Sequence, residues 1–95
     1  MIIVFSCNFV NYFYSVASEI LKTKGIPFDV LKPLIAETAR KIQVMKPDEA
    51  QTGPAVRFDE NIIAEHLSRL RGLNYFDELY NSISRSIFEF HKKNG

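Results

Sequence analysis

The sequence of 95 residues is poor in side chains that bind metals or act as nucleophiles, since it contains one cysteine, Cys7, and two histidines, His66 and His91. A lone cysteine cannot form an intramolecular disulfide, which fits a reducing cytoplasm. The two histidines are too far apart in sequence to show metal-ligand spacing, and Cys7 is distant from both. We therefore predict no metal site and assign no catalytic residue.

Two further absences exclude other classes of protein. No basic patch occurs beyond Lys92-Lys93 and the net charge is +1, so nucleic acid is not an expected partner. Residues 1–18 carry no charged side chain, but serines and asparagines interrupt them, and no unbroken apolar run of about 18–20 residues is present. The basic n-region of a signal peptide is also missing. We expect no membrane segment and a cytoplasmic location.

The glycine-rich motifs that bind nucleotide phosphates are absent as well. The chain has no G-x-G-x-x-G after a strand, and no glycine-rich loop that ends in Lys-Ser or Lys-Thr. A nicotinamide dinucleotide has no visible binding place in this sequence. We therefore predict that this chain alone binds no cofactor.

The chain does contain enough apolar material for one core, because 46% of its residues are hydrophobic and eight are phenylalanine. A chain of this size buries roughly 60–65% of its unfolded surface. Four segments show the helical spacing of apolar residues, and none is a convincing strand. The prediction is an all-α protein, a single domain over residues 1–95. Its helices are expected at Ile2–Lys24, Asp29–Met45, Asp59–Arg71 and Tyr75–Lys92, with a short turn at Asp48–Gln51.

Residues that commonly begin and end helices set these boundaries. Gly25, followed by Pro27, ends the first helix, and Gly72 suits the C′ position of the third. Asp29 and Asp59 are the predicted N-caps of the second and third helices.

Each helix has a predicted buried stripe. The stripes are Phe9, Phe13, Val16, Ala17 and Ile20; Val30, Leu34, Ile35, Thr38, Ala39 and Ile42; Ile63, Leu67 and Leu70; and Phe76, Leu79, Tyr80, Ile83, Ile87 and Phe90. The first half of the first helix is apolar nearly all round, and such a helix needs cover on more than one side. We infer a partner surface there and expect a homodimer formed through the first and last helices.

The break between the second and third helices carries the most informative residues. Gly53-Pro54 cannot continue a helix, and the hydroxyl of Thr52, the cation Arg57 and the anion Asp59 lie within eight residues of one another. In a functional interpretation, Arg57 binds a carboxylate or a phosphate and Thr52 assists. In a structural interpretation, Thr52 and Asp59 cap helices and Arg57 pairs with Asp59 or Glu60. Capping explains Asp59 fully, whereas nothing local requires Arg57.

Two other places could contact a ligand. Asn8, Asn11 and Ser15 are three and four residues apart, so they form one polar stripe on the first helix. This stripe either orients a polar ligand or simply faces water. His66 lies at the margin of an apolar stripe, where it is either a core histidine with a hydrogen-bond partner or an acid or base.

Three motifs together resemble a known family. Thr52, Gly53, Pro54, Arg57 and Asp59, followed by His66 and Leu67, match the pattern A-L-T-G-P-x-x-R-x-D…H-L of bacterial Rossmann-like oxidoreductases with a C-terminal helical domain of unknown function. Cys7-Asn8-Phe9 with Asn11 is similar to that domain's C-N-F-x-N. The segment from Pro33 to Thr38 resembles its P-L-I-x-E-T, so the resemblance covers nearly the whole chain.

The resemblance implies a fold similar to the helical C-terminal domains of the 6-phosphogluconate-dehydrogenase-like group. It also implies a reductase or dehydrogenase that uses NADP or NAD, in which this domain contacts a small-molecule substrate and forms a dimer. The expected substrate-contacting residues are Asn8, Asn11, Thr52, Arg57 and His66. The nucleotide-binding domain of that family does not appear in this sequence and is expected in cis or in trans. The chain alone is not expected to be catalytic.

Two alternatives remain from the residues themselves. The chain could be a free-standing helical dimerisation or interaction module without enzymatic activity, which the apolar first helix favours. It could also be a stand-alone binder of small molecules. Only the polar stripe and Arg57 favour this alternative.

Overall fold

The computed structural model describes residues 1–94, and helices are the only regular elements among them, which confirms the all-α prediction. Five α-helices follow one another: α1 (Phe9–Lys22), α2 (Lys32–Val44), α3 (Pro47–Ala50), α4 (Glu60–Leu70) and α5 (Phe76–Asn94). A π-helical turn, Val4–Asn8, leads into α1, and a 3₁₀-helix, Phe28–Leu31, leads into α2. The described residues contain no strand. No helix among them is long and apolar enough to cross a membrane.

The contacts divide the chain into two compact units, residues 1–40 and the remainder. In the first unit, α1 ends as the sequence predicts. Gly25 has φ +65°, its N–H donates to Lys22 O, and the N–H of Ile26 donates to Leu21 O. This pair of bonds is the Schellman motif, which needs a residue in the left-handed region at the position that Gly25 occupies.

The predicted N-cap at Asp29 is wrong. Asp29 lies inside the 3₁₀-helix and forms an exposed ion pair of 2.9 Å with Lys32 instead. Because the chain first makes a 3₁₀ turn, α2 begins three residues later than expected, and Pro33 occupies its second position, where the missing N–H costs nothing.

The predicted buried stripes of the first two helices are largely exposed. No residue among the first 40 is buried; Val16, Ala17, Ile20 and Ile35 are half-buried. Phe9, Phe13, Val30 and Leu34 are exposed, and so is Ile42 farther along α2. These positions have the right helical spacing, but the chain by itself does not cover them.

The core lies in the second unit, where α4 and α5 pack together. Its buried apolar residues are Ala55, Ile63, Leu70 and Phe76. The stripe predicted for α4 is confirmed, with Leu67 half-buried between Ile63 and Leu70. On α5 the prediction holds in part, because Ile83 and Phe90 are exposed while the polar Ser84 is buried.

Local signals in the second unit place its helix ends. The Asp59 carboxylate accepts a hydrogen bond of 3.3 Å from the N–H of Ile62, so its predicted capping role is confirmed. Gly72 follows the end of α4 with φ +79°. The ring of His91 lies 3.0 Å from Ile87 O and 3.2 Å from Asp48 O, which joins α5 to α3.

Candidate functional site

The segment that contains the Gly-Pro pair folds into a short turn with its own C-terminal cap. Gly53 has φ +101°, a conformation that glycine adopts without strain. The N–H of Phe58 then donates to Ala55 O at 3.1 Å, and the N–H of Asp59 donates to Pro54 O at 2.9 Å. These two bonds form a Schellman motif in which Phe58, with φ +49°, holds the position usual for glycine.

Two apolar contacts anchor this turn in the second unit. Ala55 is buried, and the ring of Phe58 lies 5.4 Å from that of Phe88 on α5, measured between centroids. The ring contact offers a reason for a phenylalanine at positive φ, since packing offsets the backbone strain. Thr52, which precedes Ala55, and Arg57, which follows it, therefore lie on an anchored turn.

Arg57 extends from this turn with no ionic partner. Its side chain is exposed, and none of the ion pairs among residues 1–94 involves it. The structural interpretation, a pair with Asp59 or Glu60, is thus wrong: Asp59 accepts from Ile62 instead. A guanidinium that is exposed and unpaired on an ordered turn is suited to bind an anion.

Thr52 is exposed at the start of the same turn. Its carbonyl oxygen accepts a hydrogen bond of 3.0 Å from the Gln51 amide, whereas its side chain caps none of the described helices. The capping role considered for Thr52 is therefore wrong, and its hydroxyl is accessible.

His66 on α4 has a partner that sequence reasoning missed. Its Nδ1 lies 2.7 Å from the Tyr80 hydroxyl on α5, and the two rings meet edge to face. Burial raises the pKa of Tyr80 above its ordinary value, and a hydrogen bond with Ser84 partly offsets this rise. The signal in the sequence was Tyr80 itself, a residue with a hydroxyl within the otherwise apolar stripe predicted for this helix, because a buried tyrosine hydroxyl usually finds a hydrogen-bond partner.

Asn8 and Asn11 belong to the first unit and are both exposed, as is Ser15. Asn8 closes the π-helical turn, in which the N–H of Phe9 donates to Val4 O. Turns of this kind are frequently found at functional sites in other proteins. The structure thus brings Thr52 and Arg57 onto one turn, places His66 on α4, and keeps the two asparagines on the other unit.

A shallow groove lies on each unit. The groove of the second unit, about 220 Å³, is lined by Pro47, Asp48, Gln51, Ser86, Ile87, Phe90 and His91. The groove of the first unit, about 160 Å³, is lined by Tyr14, Ala17, Leu31, Leu34, Ile35 and Thr38. Neither contains any of the five predicted contact residues. No cluster of three potential metal ligands occurs within the described part of the chain.

Comparisons with known proteins now give the chain its relatives. The family described as "Domain of unknown function (DUF2520)" matches residues 1–87. A crystal structure of a "putative NADP oxidoreductase" from Bacteroides fragilis is similar with a TM-score of 0.88 and 52% identity, over 90% of this chain and 33% of that protein. The chain thus spans about a third of that relative's length. No curated protein matches the chain. From its motifs, its helical fold and these matches, the chain belongs to the DUF2520 family and is a helical domain of NAD(P) oxidoreductase-like proteins.

Proposed function

We propose that this chain is the substrate-contacting and dimerising domain of an NADP-dependent oxidoreductase, and that it is not catalytic by itself. The observation that carries the proposal is the 52% identity to the Bacteroides protein described as an NADP oxidoreductase, over 90% of this chain. A bacterial cytoplasm fits the proposal, because the relative is bacterial and Cys7 is a free, exposed thiol.

The residues of this chain do not fit a dinucleotide. The described residues have no strand, and therefore no strand-to-helix glycine turn that could bind the diphosphate. We assign the binding of NADP to a nucleotide-binding domain, in cis or in trans, and derive no step through the cofactor here. NADP is preferred to NAD on the description of the relative.

The contribution of this domain is recognition of the substrate. Arg57 would bind an anionic group of the substrate, because it is an exposed guanidinium without an ionic partner on an anchored turn. Thr52 would add a hydroxyl from the same turn, and His66 a ring nitrogen from α4. Asn8 and Asn11, both exposed, are proposed as further substrate contacts on the first unit considered by itself.

The test is a substitution in the protein that carries this chain together with its nucleotide-binding domain. Removing the guanidinium with Arg57→Ala should raise KM for an anionic substrate about 10- to 100-fold, because a hydrogen bond to a charged group contributes about 1.5–3 kcal/mol. Arg57→Lys keeps the charge but loses the planar fork, so it should fall between the wild type and Arg57→Ala. Rates of NADPH oxidation with a series of 2-oxo acids would give KM and kcat for each variant.

Arg85 provides a matched control, since it is also an exposed arginine without an ion pair among the described residues but lies on α5. Arg85→Ala should leave KM and kcat unchanged. Equal KM values for Arg57→Ala and the wild type would rule out an anion-binding role for Arg57.

A second candidate function, a homodimerisation module without enzymatic activity, also has a specific observation behind it. Large apolar side chains at the start of the chain are exposed, with Ile2 at 79%, Ile3 at 70% and Phe5 at 62%. Surfaces of this kind commonly bind a partner. The two functions are compatible. An increased KM for Arg57→Ala would favour the substrate-contacting domain over a module that only dimerises.

A further inference from the structure

The segment 48–58, which contains the Gly-Pro turn, is attached to α5 at both of its ends. At its end, the ring of Phe58 lies 5.4 Å from that of Phe88, measured between centroids. At its start, Nε2 of His91 lies 3.2 Å from Asp48 O. Phe88 and His91 are three positions apart, so they lie on the same face of α5. One helix face thus holds both ends of the segment.

The contact with His91 gives α3 a partner that α3 cannot provide itself. The helix consists of Pro47–Ala50, and the last four carbonyls of a helix have no partner within it. Donors from side chains commonly satisfy such carbonyls. His91 does this for Asp48 O from a neighbouring helix, and the chain continues from α3 directly into the turn that carries Thr52 and Arg57.

Both ring nitrogens of His91 face oxygens that can only accept. Nδ1 lies 3.0 Å from Ile87 O, one turn earlier on α5, and Nε2 lies 3.2 Å from Asp48 O. A backbone carbonyl has no proton to donate, so each contact is a hydrogen bond only when the ring nitrogen carries a proton. The neutral ring has one proton to divide between the two positions, whereas the imidazolium has two. The bond to Asp48 O is therefore complete only in the protonated form of His91.

Other charged side chains on α3 and α5 lie near His91 in the sequence or in its groove. They are Asp48 and Glu49 on α3 and Glu89, Lys92 and Lys93 on α5, and all are exposed. Of these, Asp48 lines the groove together with His91, and none forms an ion pair with the ring among the described residues. Side chains of these types ordinarily titrate far from neutral pH, whereas imidazole titrates near about pH 6.5. A change at this junction near neutral pH is thus assigned to His91.

We propose that protonated His91 is a positioning residue, which links α3 to α5 through two backbone carbonyls and thereby fixes the segment 48–58 for the binding of an anionic substrate. The role in substrate binding rests on the proposed function, whereas the proton-dependent contact does not. Loss of the proton weakens the attachment at the start of the segment, near Thr52, and leaves the contact of Phe58 unchanged. Substrate affinity should consequently fall as the pH rises above about 6.5.

The contact can be followed in the chain itself by ¹³C spectra of the backbone carbonyls, because their shifts respond to hydrogen bonding. Between about pH 6 and about pH 8.5, where imidazole ordinarily titrates, we expect the Asp48 carbonyl signal to move together with the ring signals of His91. In His91→Phe it should not move. His66→Phe is the matched control, because it removes the other histidine, on α4, and should leave the titration of the Asp48 signal unchanged. A wild-type Asp48 signal that is constant over this range, or that moves equally in His91→Phe, would overturn the proposal.

The role in substrate binding is tested by the pH profile of KM in the protein that carries this chain together with its nucleotide-binding domain. His91→Gln keeps neutral N–H donors at every pH. Between about pH 6 and about pH 8.5, KM for a 2-oxo acid should rise about three- to tenfold more in the wild type than in His91→Gln, with the same kcat in both. Lys92→Gln, which removes a neighbouring charge, should keep the wild-type profile. Identical profiles for the wild type and His91→Gln would show that His91 does not position the site, whatever the KM of Arg57→Ala shows about the proposed function.

Discussion

At the scale of single residues, Phe58 holds a backbone conformation that usually belongs to glycine. Its φ of +49° places Cβ close to a backbone oxygen, at a cost of about 1–2 kcal/mol. Packing of the Phe58 ring offsets part of this cost, because its centroid lies 5.4 Å from that of the Phe88 ring. The two contributions can be separated, since one belongs to the backbone and the other to the side chain.

The alanine variant of a residue is usually more stable than the glycine variant, and we expect the opposite for Phe58→Ala and Phe58→Gly. Both variants lose the ring contact, but only the glycine variant would be free of backbone strain, so Phe58→Gly should be more stable than Phe58→Ala by about 1 kcal/mol. Urea unfolding of both variants and the wild type measures the difference in the free energy of unfolding. If alanine were equal or better, Phe58 would not be in the left-handed region.

Tyr80 should make the stability of the protein fall at alkaline pH. Burial raises its pKa in the folded state above the ordinary 10.0, so the folded state retains the phenol proton longer than the unfolded state. This contribution is complete below pH 10.0 and is lost as the pH rises through the folded pKa. Tyr80→Phe should flatten the decline above pH 10.0, although it lowers stability at neutral pH by about 1 kcal/mol through loss of the bond to His66.

The control for this titration is Tyr75→Phe, since Tyr75 is 77% exposed and its phenol has no hydrogen bond among the described residues. Chemical denaturation at a series of pH values gives the slopes. If Tyr80→Phe and Tyr75→Phe had the same slope above pH 10.0, the fold would not hold the Tyr80 phenol in its neutral form.

At the scale of elements, the stability of α4 depends on its N-cap residue, Asp59. Asp59 accepts from Ile62 N and so caps the start of α4 with its side chain. Asp59→Ala should cost about 1 kcal/mol in the free energy of unfolding, within the range of about 0.5–2 kcal/mol for such caps. Asp59→Asn keeps the acceptor oxygen and should cost far less. Thermal unfolding of both variants tests this, and equal losses would assign the effect to charge rather than to the cap.

The helices themselves were predictable where one residue determines the backbone. Gly25, Gly72 and Asp59 mark helix ends in the sequence, and each does so in the structure. The π-helical turn Val4–Asn8 was not predictable. That segment is apolar nearly all round, so one extra residue in the turn changes no hydrophobic pattern. The 3₁₀ turn that displaces Asp29 from its expected cap is likewise a local choice without a signal of its own.

The candidate site was predictable only in its sequential part. Gly53-Pro54 indicates a break between helices. The position of Arg57 could be predicted from this break because Arg57 lies on the same turn. The bond between His66 and Tyr80 joins residues 14 positions apart on two helices, and its geometry depends on how α4 packs on α5. Helical spacing predicts which face Tyr80 lies on, but not which polar atom it will meet.

At the scale of the whole molecule, apolar surface is distributed unevenly between the two units. All the buried apolar residues among residues 1–93 belong to the second unit, whereas none of the first 40 residues is buried. Phe5 and Phe9, whose rings meet edge to face at 5.0 Å between centroids, are 62% and 47% exposed. Exposed aromatic pairs on one helix are typical of surfaces that another protein covers, because each ring removes a large apolar area from water.

The proposed homodimer should therefore depend on the first helix. Placing two carboxylates there, with Phe5→Glu and Phe9→Glu together, would bury charge at the interface, which is costly without a partner. We expect sedimentation equilibrium to give twice 10.9 kDa for the wild type and 10.9 kDa for this variant. Val44→Glu is the control, because Val44 is 70% exposed but lies at the end of α2, and it should remain dimeric. A wild-type chain of 10.9 kDa at high concentration would rule out the homodimer.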